Sequence, residues 1–551
     1  MIKSQVRHII DVCFQAGVAR GLWGESAAGR YTVEVPRHEG QGDFSTNLAL
    51  VVAGAERKKP RELAAVLKGL LEEQGGIIRQ VEVAGPGFVN LFLAEEVWTT
   101  VLAPLFREDA RFGLADLGQG RRVLVEFVSA NPTGPLSIGH GRQAILGDAV
   151  ARLLEATGHT VQREYYYNDA GRQMRVLGAS TCARYLEVLG RPAEFPEDGY
   201  QGGYIVDIAR GIVEDEGDSL VGADVMEFKA RAEKKIFAEI AATLDRLGVR
   251  FDSYYNEHTL YEEGLVDAVV ADLRAKDLVY QADGATWFKT SALGQEQDRV
   301  IIKSSGEPTY RLPDIAYHRE KFRRGFDWLV DIFGADHIAT VPDVLAGVRA
   351  LGFDENKVTV ILHQFVTLTR DGKQVKMSTR KATFVTVDEL LDEVGIDPVR
   401  FFFLMRRADS QLEFDLELAK RQSQDNPVYY VQYAHARLCS LLAQARERGL
   451  EAPAPEAAPL SLLREPEEIR LLRMIADYPA TLRGAALDLE PHRVIFFLME
   501  LAGAFHEYYN KHRVLGESAE LAAARLCLAD GLRRLFAAGL GLLGLSAPAS
   551  M

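Results

Sequence analysis

The stretch that most constrains this chain runs from Arg122 to Asp169. RVLVEFV (122–128) is a near-continuous apolar run broken by Glu126, as expected of a parallel strand covered on both faces. The loop SANPTGPLSIGHG follows, then RQAILGDAVARLLEATG, whose apolar residues recur at helical spacing as far as Gly158. TVQREYYYND (160–169) reads as the next strand. Strand, Gly/Pro-rich loop, helix and strand make a right-handed βαβ unit, the opening of a Rossmann-like sheet.

The turn into that helix, Ser137-Ile138-Gly139-His140, carries chemistry. Glycine lets a phosphate approach the backbone, and the free N–H groups and positive dipole of a helix start favour an anion. A histidine there is placed to donate to a phosphoryl oxygen as charge grows. Taken alone, His140 reads more readily as a capping residue in a tight turn.

The α/β unit occupies 116–385, after a first α+β unit over 1–115 that holds YTVEV (31–35) and GFVNLFL (87–93). Residues 185–295 are acidic and helical in pattern and read as an insertion. Alternation resumes at TWFKTS (286–291), then WLVDIFG (328–334) and KVTVILHQFV (357–366). From about 385 strand signals disappear, so 386–425 reads as a connecting helical segment and 426–551 as an all-α domain. A multidomain architecture suits a chain of 551 residues, too long for one core. Four dispersed cysteines without a CxxC pair argue against a zinc site or disulfides and fit a reducing cytoplasm; no stretch is apolar enough to span a membrane. The net charge of −14 does not exclude a nucleic acid, because phosphates respond to local patches. Two basic runs qualify as candidates, Arg57-Lys58-Lys59 with Arg61, and Arg319, Lys321, Arg323 and Arg324.

A second motif, Lys376-Met377-Ser378-Thr379-Arg380-Lys381, follows the turn Arg370-Asp371-Gly372-Lys373. Cations on a mobile loop suit a departing pyrophosphate. The two motifs, in this order, resemble the HIGH and KMSKS pair of class I aminoacyl-tRNA synthetases. VEFVSANPTGP (125–135), REYYYNDAGRQ (163–173), DIAYHREKFRRGFD (314–327), FGADH (333–337), ADSQLEFDLELA (408–419) and VQYAHAR (431–437) resemble the arginyl-tRNA synthetases in particular, over essentially the whole chain.

That resemblance implies an ATP-dependent ligase joining L-arginine to tRNA(Arg) through an arginyl-adenylate. Mg²⁺ enters with ATP, no metal is tightly bound, and the protein is a monomer. By the same resemblance His140, Lys376, Ser137 and Ser378 are catalytic, and Gly139, His140, Gln364, Val366 and Lys376 hold ATP. Asp314 takes the guanidinium with Glu126 and Tyr310 beside it, Asn131 takes the α-amino end, and Asp336 and His337 form a looser wall. The front domain meets the tRNA elbow through Asn90 and Phe92. The C-terminal bundle meets the anticodon loop through Tyr429, Tyr433, Ala434, His435, Tyr509 and Met551. A guanidinium pocket must indeed offer carboxylates, since a buried unpaired cation is very costly.

Two positions depart from the family pattern. Ser137 stands where the first histidine of HIGH is usual, and Thr379 replaces the second lysine of KMSKS. Losing one transition-state donor costs about 3 kcal/mol unless a neighbour compensates. These departures keep open a catalytically inactive relative that only binds tRNA; a synthetase for another amino acid is the other alternative.

Overall fold

The structure, a computed structural model, describes residues 2–36, 38, 40–169, 171–375, 385–516 and 518–551. At its centre is a five-stranded, all-parallel sheet of Arg122–Glu126, Thr160–Tyr167, Ser253–Asn256, Trp328–Gly334 and Val358–His363. Counting these strands in chain order, they lie 5-4-1-2-3 across the sheet. The order reverses between the first and fourth strands, the switch point at which doubly wound sheets open a crevice beyond their carboxyl ends. The first strand is buried from Val123 to Glu126, as the apolar run demands. The motif helix, Ile138–Ala156, lies close because Gly147 lacks a side chain: a Cβ there would meet the Phe127 ring at 2.2 Å.

Three sequence expectations need correction. The range 185–295 is not wholly an inserted helical segment, because Ser253–Asn256 lies inside it and pairs with Glu164–Tyr167 as the third core strand. Its sequence, SYYN, is too short and polar to read as a buried strand. TWFKTS does not resume the core sheet; Ala285–Phe288 sits in a small antiparallel sheet with Val279–Ala282 and Arg299–Ile302. Beyond 385 the described residues still include a strand, Leu412–Asp415, paired in parallel with Val366–Arg370.

The front of the chain forms a four-stranded antiparallel sheet, Val33–Glu34, Phe44–Thr46, Phe88–Leu93 and Ile78–Ala84, packed with helices. The C-terminal helices Pro427–Glu447, Pro466–Leu487, His492–Lys511 and Ala519–Leu542 form a bundle. Front and back meet directly: Phe112 stacks on Tyr478, and Asp43 pairs with Arg473 at 2.6 Å.

The buried guanidinium of Arg400 joins three parts of the fold. It donates to Asp148 Oδ2 on the motif helix at 2.5 Å, to the Leu247 carbonyl at 2.8 Å, and to the Leu543 carbonyl at 2.8 Å. Arg400→Met leaves Asp148 short of a buried partner and two carbonyls unsatisfied. It should destabilise the protein by about 3–5 kcal/mol, read by urea unfolding; a change below about 1 kcal/mol refutes this junction.

Candidate active site

At the switch point a cavity of about 750 Å³ opens between the first and fourth strands. The chain leaves the first strand through Val128 (φ 67°) and Ser129 (φ 42°), left-handed conformations that a β-branched residue adopts only under constraint. Ser129 Oγ is fixed on both sides, donating to Glu126 Oε1 at 3.0 Å and accepting from the Tyr166 N–H at 3.1 Å.

At one end of the cavity the motif helix begins. Ser137 is its N-cap, and the two readings of His140 prove compatible. The Ser137 N–H donates to His140 Nδ1 at 3.3 Å, while the His140 N–H donates to Ser137 Oγ at 3.5 Å. With Nδ1 accepting, the proton sits on Nε2. Burial lowers the imidazole pKa to about 4 against the pull of Asp336, so the ring is neutral at pH 7. Nε2–H has no partner among the described residues and remains a donor in the cavity the ring lines. At Gly139 an added Cβ would meet only Ser137 Oγ, at 3.7 Å, so the space over the helix start is open.

The other end is acidic. Glu126, Glu257 and Asp314 all line it. Glu126 already has a cation: Lys321 Nζ, fully buried, donates to it at 2.5 Å and to Asp331 Oδ1 at 2.7 Å. His318 Nε2 adds a 2.9 Å bond to Asp331 Oδ2. Burial opposes ionisation of Asp331, but Lys321 and His318 outweigh it and hold that carboxyl below its usual range. Asp314, by contrast, makes no ion pair or side-chain hydrogen bond among the described residues. Burial, reinforced by Glu126 and Glu257 against His318 and Lys321, pushes it up to about 7. Glu257, also raised by burial, is a cavity residue that the sequence reading missed.

Of the other expected residues, Asn131, Tyr310, Asp336, His337 and Val366 line the cavity. Tyr310 stands at its rim, 69% exposed, and Asn131 donates to Gln173 at 2.6 Å. Gln364 does not line it. Its N–H goes to the Ala408 carbonyl, and its own carbonyl accepts from Arg142 Nη1 at 2.7 Å. Phe365, 67% exposed, lines the cavity beside Val366 instead. Lys376, Ser378 and the rest of the second motif lie outside the described residues. Most of the basic run at 319–324 is engaged internally: Lys321 is buried, Arg319 pairs with Asp272 and Arg324 is bidentate on Glu164, while Arg323 is exposed.

A family model described as "tRNA synthetases class I (R), catalytic domain" matches residues 103–194 and 212–400. "Arginyl tRNA synthetase N terminal domain" matches 2–93 and "DALR anticodon binding domain" matches 431–551. An arginine–tRNA ligase of Desulfotalea psychrophila is 63% identical over 552 residues, covering 100% of both chains. The chain belongs to the arginyl-tRNA synthetase family. A second relative, an arginine–tRNA ligase of a Geobacter species, is 48% identical over 100% of both chains. The Thermus thermophilus arginyl-tRNA synthetase shares the fold with a TM-score of 0.74 at 24% identity, covering 100% of both chains.

For a member of this family, the expected RNA contacts sort by exposure. Asn90 shares the outer face of its strand with Phe88 and Phe92 but is only 5% exposed, between Ser45 and Glu82 on the flanking strands. Ala434 is buried, and His435 is buried with Nδ1 on the Pro548 carbonyl at 2.9 Å, so it tethers the C-terminal tail and presents nothing to a base. Tyr429, Tyr433 and Tyr509 are half-buried and Met551 is exposed. Tyr429 and Tyr433 stack at 5.8 Å, and Arg437 lies over Tyr433 and, at 4.3 Å, over Tyr509. Arg437 completes an aromatic and cationic surface, and the sequence reading missed it.

The raised Asp314 pKa has a consequence independent of any ligand. A carboxyl whose folded pKa exceeds its unfolded value binds more protons folded than unfolded between about pH 4 and 7, so its contribution to stability falls as pH rises through that window. Asp314→Asn should therefore stabilise the ligand-free protein by about 1–4 kcal/mol at pH 8 and by little at pH 4. Equal thermal shifts at the two pH values count against this account.

Proposed function

We propose that the chain uses ATP to join L-arginine to the 3′-terminal adenosine of tRNA(Arg). One observation carries the reading. A single cavity holds a neutral histidine at a helix N-terminus and, at its other end, a carboxylate without an internal cation. The first suits a phosphate, the second a guanidinium. Asp314, with Glu257 close by and Tyr310 at the rim, receives the guanidinium; Glu126, already matched with Lys321, shapes the wall. Asn131 faces the α-amino end, with Asp336 and His337 opposite.

In the reaction usual for class I enzymes, the arginine carboxylate attacks the α-phosphate of Mg-ATP to give an arginyl-adenylate and pyrophosphate. A hydroxyl of the terminal ribose then takes the activated carbonyl. His140 Nε2–H and the amides at Gly139 stabilise phosphoryl charge, and the Lys376–Lys381 segment supplies further cations by family likeness. Positioning and charge stabilisation carry the acceleration, with no covalent protein intermediate. For tRNA, Phe88 and Phe92 on the front sheet and Tyr429, Tyr433, Arg437 and Tyr509 on the bundle offer stacking surfaces. Monomeric state and a cytoplasmic location are further expectations of the family likeness. Among the described residues no helix is long and apolar enough to cross a membrane.

Aminoacylation of total tRNA with radiolabelled amino acids tests the reading. Arginine alone should be incorporated. Asp314→Asn should raise KM for arginine about a hundredfold, the loss of roughly 3 kcal/mol expected when a charge-assisted pair to a guanidinium is removed. Incorporation of another amino acid, or an unchanged KM, would refute the assignment. Arginine-dependent pyrophosphate exchange should require tRNA, as is common in the family; full exchange without it refutes that expectation. The Arg437→Ala variant should raise KM for tRNA with kcat little changed, and a fall in kcat at constant KM would speak against an RNA contact.

A further inference from the structure

One internal cation is not explained by substrate binding. Arg142, two residues beyond His140 on the motif helix, is 1% exposed and forms no ion pair with a carboxylate among the described residues. Its guanidinium is spent on main-chain carbonyls of two distant segments. Nη1 donates to Gln364 O at 2.7 Å and to Ser410 O at 3.0 Å, and Nη2 donates to Arg407 O at 2.9 Å. Burial lowers its pKa to about 10, which still leaves it charged at neutral pH.

Those two segments are themselves stitched together. The Gln364 N–H donates to Ala408 O at 2.9 Å, the Leu412 N–H donates to Phe365 O at 3.3 Å, and Val366 pairs with Leu412 at the start of a parallel ladder. Phe365 and Val366 form one wall of the cavity that His140 also lines. One rigid fork therefore fixes the distance between the phosphate-facing start of the motif helix and the wall opposite. A guanidinium spreads its donors over a rigid planar fork, here reaching three carbonyls from two nitrogens; an ammonium carries its three donors on one rotatable atom and cannot reproduce that geometry.

We infer that Arg142 is a positioning residue for the nucleotide, setting the spacing between His140 and the Phe365–Val366 wall without touching ATP itself. This rests on reading the cavity as the ATP site. The arginine end is held separately, by Lys321 between the first and fourth strands and by Arg324 on Glu164, so it should be insulated from a change at Arg142.

Steady-state kinetics of the full chain, with tRNA present, separates these roles. In Arg142→Lys, which keeps the charge but not the fork, KM for ATP should rise about tenfold or more, the effect of roughly one lost hydrogen bond to a charged group. KM for arginine should stay within about twofold. Arg142→Met should show the same split more strongly. The inference is overturned if both KM values rise together, if KM for ATP is unchanged, or if neither variant folds, since Arg142 would then be a structural residue alone. His140→Ala is the control for the underlying reading. If it leaves kcat intact, the cavity is not the nucleotide site and both ideas fall. If it lowers kcat while Arg142→Lys leaves KM for ATP unchanged, only the positioning role fails.

Discussion

Glu126 and Asp331 face each other in register on adjacent parallel strands at the switch point, two carboxylates side by side inside the protein. Such a pair would repel across the ladder and could not stay ionised unaided. Lys321 reaches in from the helix Arg311–Arg323 and answers both, with His318 from the same helix taking the remaining oxygen of Asp331. The site depends on this triad. It keeps the ends of the first and fourth strands together, and it fixes the helix that carries Asp314 against the sheet. A buried triad of this kind adds little net stability, because desolvation offsets most of the attraction. Its return is geometric: a helix docked in one register.

The same arithmetic explains why Asp314 differs from its neighbours. Three acids line one end of the cavity, and one internal ammonium is available to them and to Asp331. Glu126 and Asp331 take it, although burial still holds the Glu126 carboxyl above its usual range. Asp314 and Glu257 are left to share a low-dielectric space, and their pKa values rise. On the proposed reading, an incoming guanidinium would remove that penalty, because its planar donors match a carboxylate and its charge would restore the ionised state. The ligand-free site is thus destabilised in the one respect that its cation can relieve, and a cation of another shape would relieve it less well.

Much of this was legible in the chain, and what was hidden had physical reasons. The first and fourth core strands announce themselves by apolar runs, each interrupted by one acid, and the motif helix by its spacing. The third strand, SYYN, is invisible because four polar and aromatic residues at a sheet edge carry no apolar signature. Leu412–Asp415 is hidden by the strong helical pattern on either side. Asp314 and Asn131 could be named because they fall inside sequence words shared with a family. Glu257 sits in an unremarkable YNEHT, and only the fold brings it beside Asp314. Lys321 and Arg324 read as members of a candidate basic patch; their partners, Glu126, Asp331 and Glu164, are contributed by strands remote in sequence. Ala434 and His435 were misplaced for the opposite reason. On an amphipathic helix adjacent residues face different ways, and a sequence word does not say which face is the wet one.

Ser137 illustrates how a departure from a family pattern can be compensated. The family histidine at this position offers a donor to the nucleotide, and its replacement by serine looked like a loss of about one such contact. In the fold, position 137 is the N-cap of the motif helix, a place where serine is favoured and where a bulky side chain contributes less. Its hydroxyl caps the His140 N–H and lies 3.2 Å from Nδ1, while the main-chain N–H of the same position donates to Nδ1 and favours the tautomer with the proton on Nε2. A ring free to flip would present either an acceptor or a donor to the phosphate; one held through Nδ1 presents Nε2–H alone. A serine here is consistent with an active enzyme, since the remaining histidine is still presented with its donor toward the cavity.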